Sequence, residues 1–124
     1  MIEYSLSDCE ELVMRCIWDS ETDIGVQEIT QMVNERYGKQ WKQQTVSTFL
    51  VRLVKKNYTD MYRKGRNFFY HPKVEKAEYC ENMLKDYVDF WNDGNMVDFI
   101  CDLYQNGKLS SKEKKEIKDK INSL

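Results

Sequence analysis

The 124-residue chain has one proline, one histidine, five glycines and four cysteines. No C-x-x-C pair occurs among Cys9, Cys16, Cys80 and Cys101, and His71 stands alone, so the short paired spacings of a zinc site are missing. No metal and no cofactor is expected. The cysteines read as free thiols packed as small hydrophobes in a reducing compartment. Long apolar runs are also lacking: none approaches the roughly 20 residues needed to span a bilayer. The opening MIEYSLSDCEEL carries Glu3, Asp8, Glu10 and Glu11 and has no basic region ahead of an apolar core, which argues against a signal peptide. A soluble cytoplasmic protein without membrane insertion is expected. There is no Gly-rich phosphate loop, no G-x-S-x-G and only one histidine, and the acidic pairs lie on solvated helix faces. Catalysis is not expected.

The formal net charge of −2 conceals a strong asymmetry. Residues 1–38 hold two bases against nine acids. Residues 39–73 hold nine bases (Lys39, Lys42, Arg52, Lys55, Lys56, Arg63, Lys64, Arg66 and Lys73) against Asp60 alone. Residues 74–124 hold eight lysines against eleven acids. A concentrated basic segment inside an acidic chain is the footprint of phosphate binding; the alternative is a solvated face without a partner.

Apolar periodicity predicts a helix over Ser7–Trp18, with Ser7 or Asp8 as its N-cap. Residues Asp19–Gly25 read as a polar turn, and Val26–Tyr37 as a second helix ended by Gly38. The third helix is the clearest. In QQTVSTFLVRLVKKN, Val46, Phe49, Leu50, Leu53 and Val54 form an apolar stripe, and Gln44, Ser47, Thr48, Arg52 and Lys55 fall opposite. That outer face carries amides, hydroxyls and cations but no acid, the groups that donate to phosphates and base edges. Two plainer readings stand beside this one: Gln44 and Ser47 as ordinary helix surface, and Arg52 in a salt bridge to an acid of the first or second helix. Trp41 reads as packing beneath the helix rather than stacking on a base.

YTDMYRKGRNFFYHP follows. Strand formers flank Arg63–Arg66, with Lys64 and Gly65 at the tip of a hairpin and Pro72 at its end. His71 reads as a strand-end residue without chemistry. Three helices and then a basic two-stranded hairpin is the order of a winged helix. Beyond Pro72 come an amphipathic helix through Ala77, Cys80, Leu84, Tyr87, Val88 and Trp91, then a shorter one through Met96, Phe99, Ile100, Leu103 and Tyr104. A last helix with Ile117, Ile121 and Leu124 on one side is opened by the S-x-x-E capping box of Ser110–Glu113. About fifty residues in three thin helices make a marginal core. They need a second surface, and a second copy of the chain is the simplest. The expected fold is therefore mainly α with a small β-hairpin: a winged helix-turn-helix domain over residues 1–73 and a helical dimerisation region over 74–124.

Taken together, these segments resemble the penicillinase-repressor (BlaI/MecI/CopY-type) family of bacterial winged-helix regulators. LSDCEELVMRCIW is similar to the family opening, WKQQTVSTFLVRLVKK to its recognition helix, GRNFFYHP to its wing and LSSKEKKEIKDKI to its closing helix. The resemblance implies a homodimer that represses transcription at an inverted repeat. For part of the family it also implies release by proteolysis after a membrane sensor protease is activated. The copper-responsive branch carries C-terminal Cys-x-Cys motifs, which this chain lacks. The protease-released branch is cut at an Asn-Phe step; counted back from Leu109, the matching step here is Asp102-Leu103.

The residues expected to contact DNA are Lys42, Gln44, Thr45, Ser47, Thr48, Arg52, Arg63, Lys64 and Arg66. Gln44, Ser47 and Thr48 would face base edges, glutamine suiting adenine, while the cations hold phosphates and register. Leu84, Tyr87, Trp91, Ile100, Leu103, Ile117 and Ile121 are expected at the dimer interface. The rival reading is a winged-helix interaction module whose basic face binds an acidic protein without DNA specificity.

Overall fold

The computed structural model describes residues 5–124; residues 1–4, with Glu3, lie outside the described residues. The order is α1 (Asp8–Trp18), α2 (Val26–Tyr37), α3 (Gln43–Lys55), β1 (Thr59–Lys64), β2 (Asn67–Pro72), α4 (Lys76–Trp91), α5 (Met96–Asn106) and α6 (Ser111–Asn122). No helix among the described residues is long and apolar enough to cross a membrane.

Each of the first three helices ends for a local reason. Ser7 caps α1 in a reciprocal box: its hydroxyl accepts from the Glu10 N–H at 3.2 Å, and Glu10 Oε1 accepts from the Ser7 N–H at 2.8 Å. Helix α2 stops at Gly38. Helix α3 closes in a Schellman motif: the Asn57 N–H reaches the Val54 carbonyl, the Tyr58 N–H reaches the Leu53 carbonyl, and Asn57 takes φ 65°. Asparagine tolerates that left-handed conformation better than other side chains, and it turns the chain from α3 directly into β1.

The helices bury the stripes that the periodicity marks. Val13, Met14, Cys16 and Ile17 of α1 meet Ile29 and Val33 of α2 and Val46, Leu50 and Leu53 of α3, with Leu6, Ile24, Tyr58, Tyr70 and Tyr79 completing the core. Strands β1 and β2 pair antiparallel from Thr59↔Pro72 to Lys64↔Asn67. The turn is Gly65 and Arg66, one residue later than expected, and Gly65 supplies φ 68° at no steric cost. A third strand-like step was not legible in the sequence. Ile24, in the polar stretch between α1 and α2, bridges antiparallel to Tyr70, whose N–H it accepts at 3.0 Å.

Two compact units divide the chain, Met1–Glu81 and Asn82–Leu124. The division lies eight residues beyond the expected boundary at 73/74, because the first turns of α4 belong to the first core. Tyr79 packs on Trp18 (centroids 5.3 Å) and on Tyr58 (5.7 Å) and bonds Glu11 at 2.5 Å, while the Trp18 indole N–H donates to the Val74 carbonyl at 2.8 Å. In the second unit Asn95 caps α5, and Ser110 with Glu113 caps α6 in the expected box. Of its residues only Val88 is buried. The cysteines do not all act as core residues: Cys16 is buried and Cys9 half-buried, but Cys80 and Cys101 are exposed.

A candidate nucleic-acid interface

Helix α3 is set in place from both sides. Its apolar stripe is sunk in the core, and the loop leading into it is fixed by Asn34 of α2. The Asn34 amide accepts from the Trp41 N–H and donates to the Trp41 carbonyl, each at 3.0 Å. That pairing satisfies both main-chain groups of Trp41 and sets where the helix begins. The Trp41 ring then packs half-buried on Phe49, centroids 5.1 Å apart, under the helix as expected.

With the inner face committed, the outer face carries Lys42, Gln43, Gln44, Thr45, Thr48, Val51, Arg52 and Lys55, all exposed. Its first turn has no acid and no side-chain cap, and Lys42 is the N-cap residue. The free N–H groups and positive dipole end of α3 therefore add to the lysine charge. Thr48 returns its hydroxyl to the Gln44 carbonyl at 3.1 Å, a bond that rotation about χ1 can exchange. No acid salt-bridges Arg52 among the described residues; its guanidinium lies over the Phe49 ring at 5.8 Å.

Ser47 differs from its neighbours. It is half-buried and, with Gln43, lines a cleft of about 280 Å³ between the start of α2 (Gly25–Glu28) and the wing (Arg66–Tyr70). Gly25 makes that approach possible, because a Cβ there would meet the Phe68 carbonyl at 3.2 Å. The cleft joins α3 and the wing into one surface, with Arg63, Lys64 and Arg66 exposed at the wing's outer end. The Arg63 side chain donates to the Gly65 carbonyl at 3.0 Å, which stiffens the turn.

Two of the nine bases in the segment, neither of them among the expected contacts, face acids. Lys56 turns inward to Glu10 at 2.8 Å, and Lys73 lies 3.7 Å from Asp60. Gln43, Val51 and Asn67, outside the expected contact set, are also exposed, Val51 on the outer face of α3 and Gln43 and Asn67 at the cleft. Val51 could have been found, since it shares the 44, 48, 51, 55 face at helical spacing. Asn34 gave no signal, because its partner is the main chain of a residue seven positions away. His71 is not inert: Nδ1 lies 2.8 Å from Oδ1 of Asp23. The hydrogen bond and the Asp23 charge raise the imidazole above its ordinary value, while the Tyr62 hydroxyl and His71 hold the Asp23 carboxyl below its own.

The residues expected at a dimer interface are exposed in the single chain, save half-buried Ile117. Ile100, Ile117 and Ile121 line one apolar groove of about 250 Å³ with Tyr104. Tyr87 packs edge-on to Phe99 at 6.0 Å and tilted against Trp91 at 6.4 Å, yet the Trp91 side of that cluster stays 69% exposed.

The penicillinase repressor family model matches residues 6–123. The chain is 27% identical over 112 residues to the penicillinase repressor of Bacillus licheniformis, covering 90% of this chain and 85% of that one. It is 24% identical over 123 residues to the penicillinase repressor of Staphylococcus aureus, covering 99% and 94%. Among solved structures, the DNA-binding domain of the repressor BlaI superposes with TM-score 0.52 at 31% identity, over 60% of this chain and 88% of that one. The monomeric Bacillus licheniformis BlaI in complex with the blaP half-operator gives 0.50 at 30%, over 64% and 92%. With three core helices, a basic two-stranded wing and a match across nearly its whole length, the chain belongs to the penicillinase repressor family of winged-helix proteins.

Proposed function

We propose that the chain is a transcriptional repressor that binds duplex DNA as a homodimer on a palindromic operator, with no catalytic step. One observation carries the reading: the exposed face of α3 holds amides, hydroxyls and cations without an acid, beside a basic wing, in a chain of this family. Gln44 and Thr48 face the base edges of the major groove, with Thr45 and Ser47 beside them. Lys42, Arg52, Arg63, Lys64 and Arg66 neutralise phosphates and fix register. Two such modules on a two-fold axis occupy the operator and exclude polymerase.

Dimerisation through the C-terminal region is supported by its composition. Leu84, Tyr87, Trp91, Ile100, Leu103 and Ile121 are each about half exposed or more. Tyr87 lies against Trp91 and Ile100 shares a groove with Ile121, and exposed apolar surface of that kind favours an interaction site. A membrane sensor protease as releasing partner would have to cut at Asp102-Leu103, which is exposed in α5 but is not the Asn-Phe step of the protease-released branch. Duplex DNA as ligand and four free cysteines support a cytoplasmic location.

The test is to recover the fragments of the source genome that the purified full-length protein retains, and then to titrate the enriched duplex against a scrambled one at several salt concentrations. Enrichment of an inverted repeat, bound more tightly than the scrambled duplex and losing affinity steeply with salt, is the expected result. Salt-independent binding, or retention of no duplex at all, overturns it in favour of an acidic protein partner.

A further inference from the structure

One polar cluster of the first unit is explained neither by the recognition helix nor by the basic wing tip. Asp23 sits in the connection between α1 and α2, and its two carboxylate oxygens reach different strands of the wing. Tyr62 of β1 donates its hydroxyl to Oδ2 at 2.6 Å, and Nδ1 of His71 on β2 faces Oδ1 at 2.8 Å. The register and strand alternation put Tyr62 and His71 on one sheet face, opposite to the face of Thr59 and Tyr70 that enters the core. Next to Asp23, Ile24 holds the Tyr70 N–H. A two-stranded hairpin alone is marginal in water, and residues 61–68 of this one are exposed. The segment 23–24 is thus a brace on the hairpin from outside it.

The other charges bearing on His71 are Asp60 of β1 and Glu75 beyond β2, with Lys73 beside Asp60 at 3.7 Å. His71 is the only histidine in the chain.

We propose that Asp23 is a positioning residue for DNA binding: by gripping Tyr62 and His71 together it holds the wing where Arg63, Lys64 and Arg66 meet the duplex read by α3, and protonation of His71 tightens the grip. The inference rests on the DNA-binding reading above. Its sign follows from linkage. The hydrogen bond and charge of Asp23 raise His71 above its ordinary value, so the braced wing holds the proton more firmly than the released one. The added stability is full below the ordinary imidazole value of about 6.5 and is lost as pH rises through the raised value. With one histidine present, no other side chain of ordinary pKa titrates in that window.

The experiment uses the full-length chain as wild type, Asp23→Asn, Tyr62→Phe and His71→Gln. Hairpin amide exchange is followed without DNA, and affinity for the enriched duplex is measured at constant salt from mildly acidic to mildly alkaline pH. In the wild type, wing protection and duplex affinity should both fall several-fold as pH rises. Asp23→Asn and His71→Gln should start low and be flat in pH, and Tyr62→Phe should be weaker but keep the slope. If Asp23→Asn retains the wild-type slope, His71 acts on phosphate directly and the proposal is overturned. It is overturned equally if wing protection in the wild type does not change with pH, a reading that stands even if no duplex binds. Loss of all duplex binding with an intact pH response of the wing refutes the DNA reading alone. Should Asp23→Asn unfold, Tyr62→Phe and the wild-type pH profile decide.

Discussion

Lys56→Met isolates a cation that the basic segment contains but the interface does not use. Its ammonium lies 2.8 Å from Glu10 Oε1 and 3.1 Å from the Ser5 carbonyl, and the two side chains are 28% and 2% exposed. Burial pushes the Glu10 carboxyl up; the Lys56 and Ser7 hydrogen bonds outweigh it, so the group stays below the usual carboxylate range. Glu10 Oε2 is buried without a partner among the described residues, leaving the carboxylate dependent on contacts at its other oxygen. Replacing Lys56 by an apolar side chain leaves a buried charge uncompensated, at a cost of about 3 kcal/mol, the lower end of the range for broken buried pairs because the lysine is partly solvated. For a cooperative unit of this size that is a fall in Tm of roughly 12–24 °C. The pH dependence gives the check. In the wild type a depressed Glu10 adds stability above its unfolded value, and this is lost as pH falls through the folded one. In the variant the lysine is gone and burial, the largest influence on the carboxyl, is opposed only by the Ser7 hydrogen bonds, so the folded value rises from its wild-type position. The loss is therefore greatest at neutral pH and relieved on acidification. Urea unfolding of both proteins should show a deficit at pH 7 that narrows towards about pH 4.5, near the unfolded carboxyl range. Adding Glu10→Gln should recover part of the loss, and the slope of duplex affinity against salt should not change. A deficit below about 1 kcal/mol, the size of an exposed pair, and equal at both pH values would refute the reasoning.

Three further outcomes are expected. If each subunit neutralises about four phosphates, log K against log salt should fall with a slope near −7 per dimer, at roughly −0.9 per phosphate; a flat titration removes the basic face from the interface. Gln44→Ala should cost about 1–3 kcal/mol on the operator and relax preference at one base pair, whereas Arg66→Ala should weaken operator and scrambled duplex alike and lower the salt slope by about one. Equal losses on both duplexes for Gln44→Ala would move base reading to Ser47 or Thr48. Sedimentation equilibrium at micromolar concentration should give a dimer for the wild type and a shift towards monomer for Trp91→Glu; a monomeric wild type contradicts the assigned surface.

Periodicity alone was enough for the helices. Val46, Leu50 and Leu53 had to face inward because a 3.6-residue repeat leaves no other common side, and the acid-free outer face followed from the same geometry. The caps of Ser7, Gly38 and Ser110 were readable because capping chemistry acts over three or four residues. The hairpin was legible from Gly65 between strand formers. What the sequence could not decide were pairings between distant residues. Lys56 counts as one of nine bases in the segment until α1 brings Glu10 beneath it, 46 positions away. Asp23 reads as a turn residue until the fold lays it across Tyr62 and His71, 39 and 48 positions on. Tyr79 belongs by composition to the C-terminal helices, yet it packs on Trp18 and Tyr58 and moves the boundary between the units to Glu81. Local order is set by main-chain hydrogen bonds and side-chain spacing, which a linear sequence records. Which ionised groups neutralise one another, and which edge of a wing is braced, depends on distances that exist only once the core has closed.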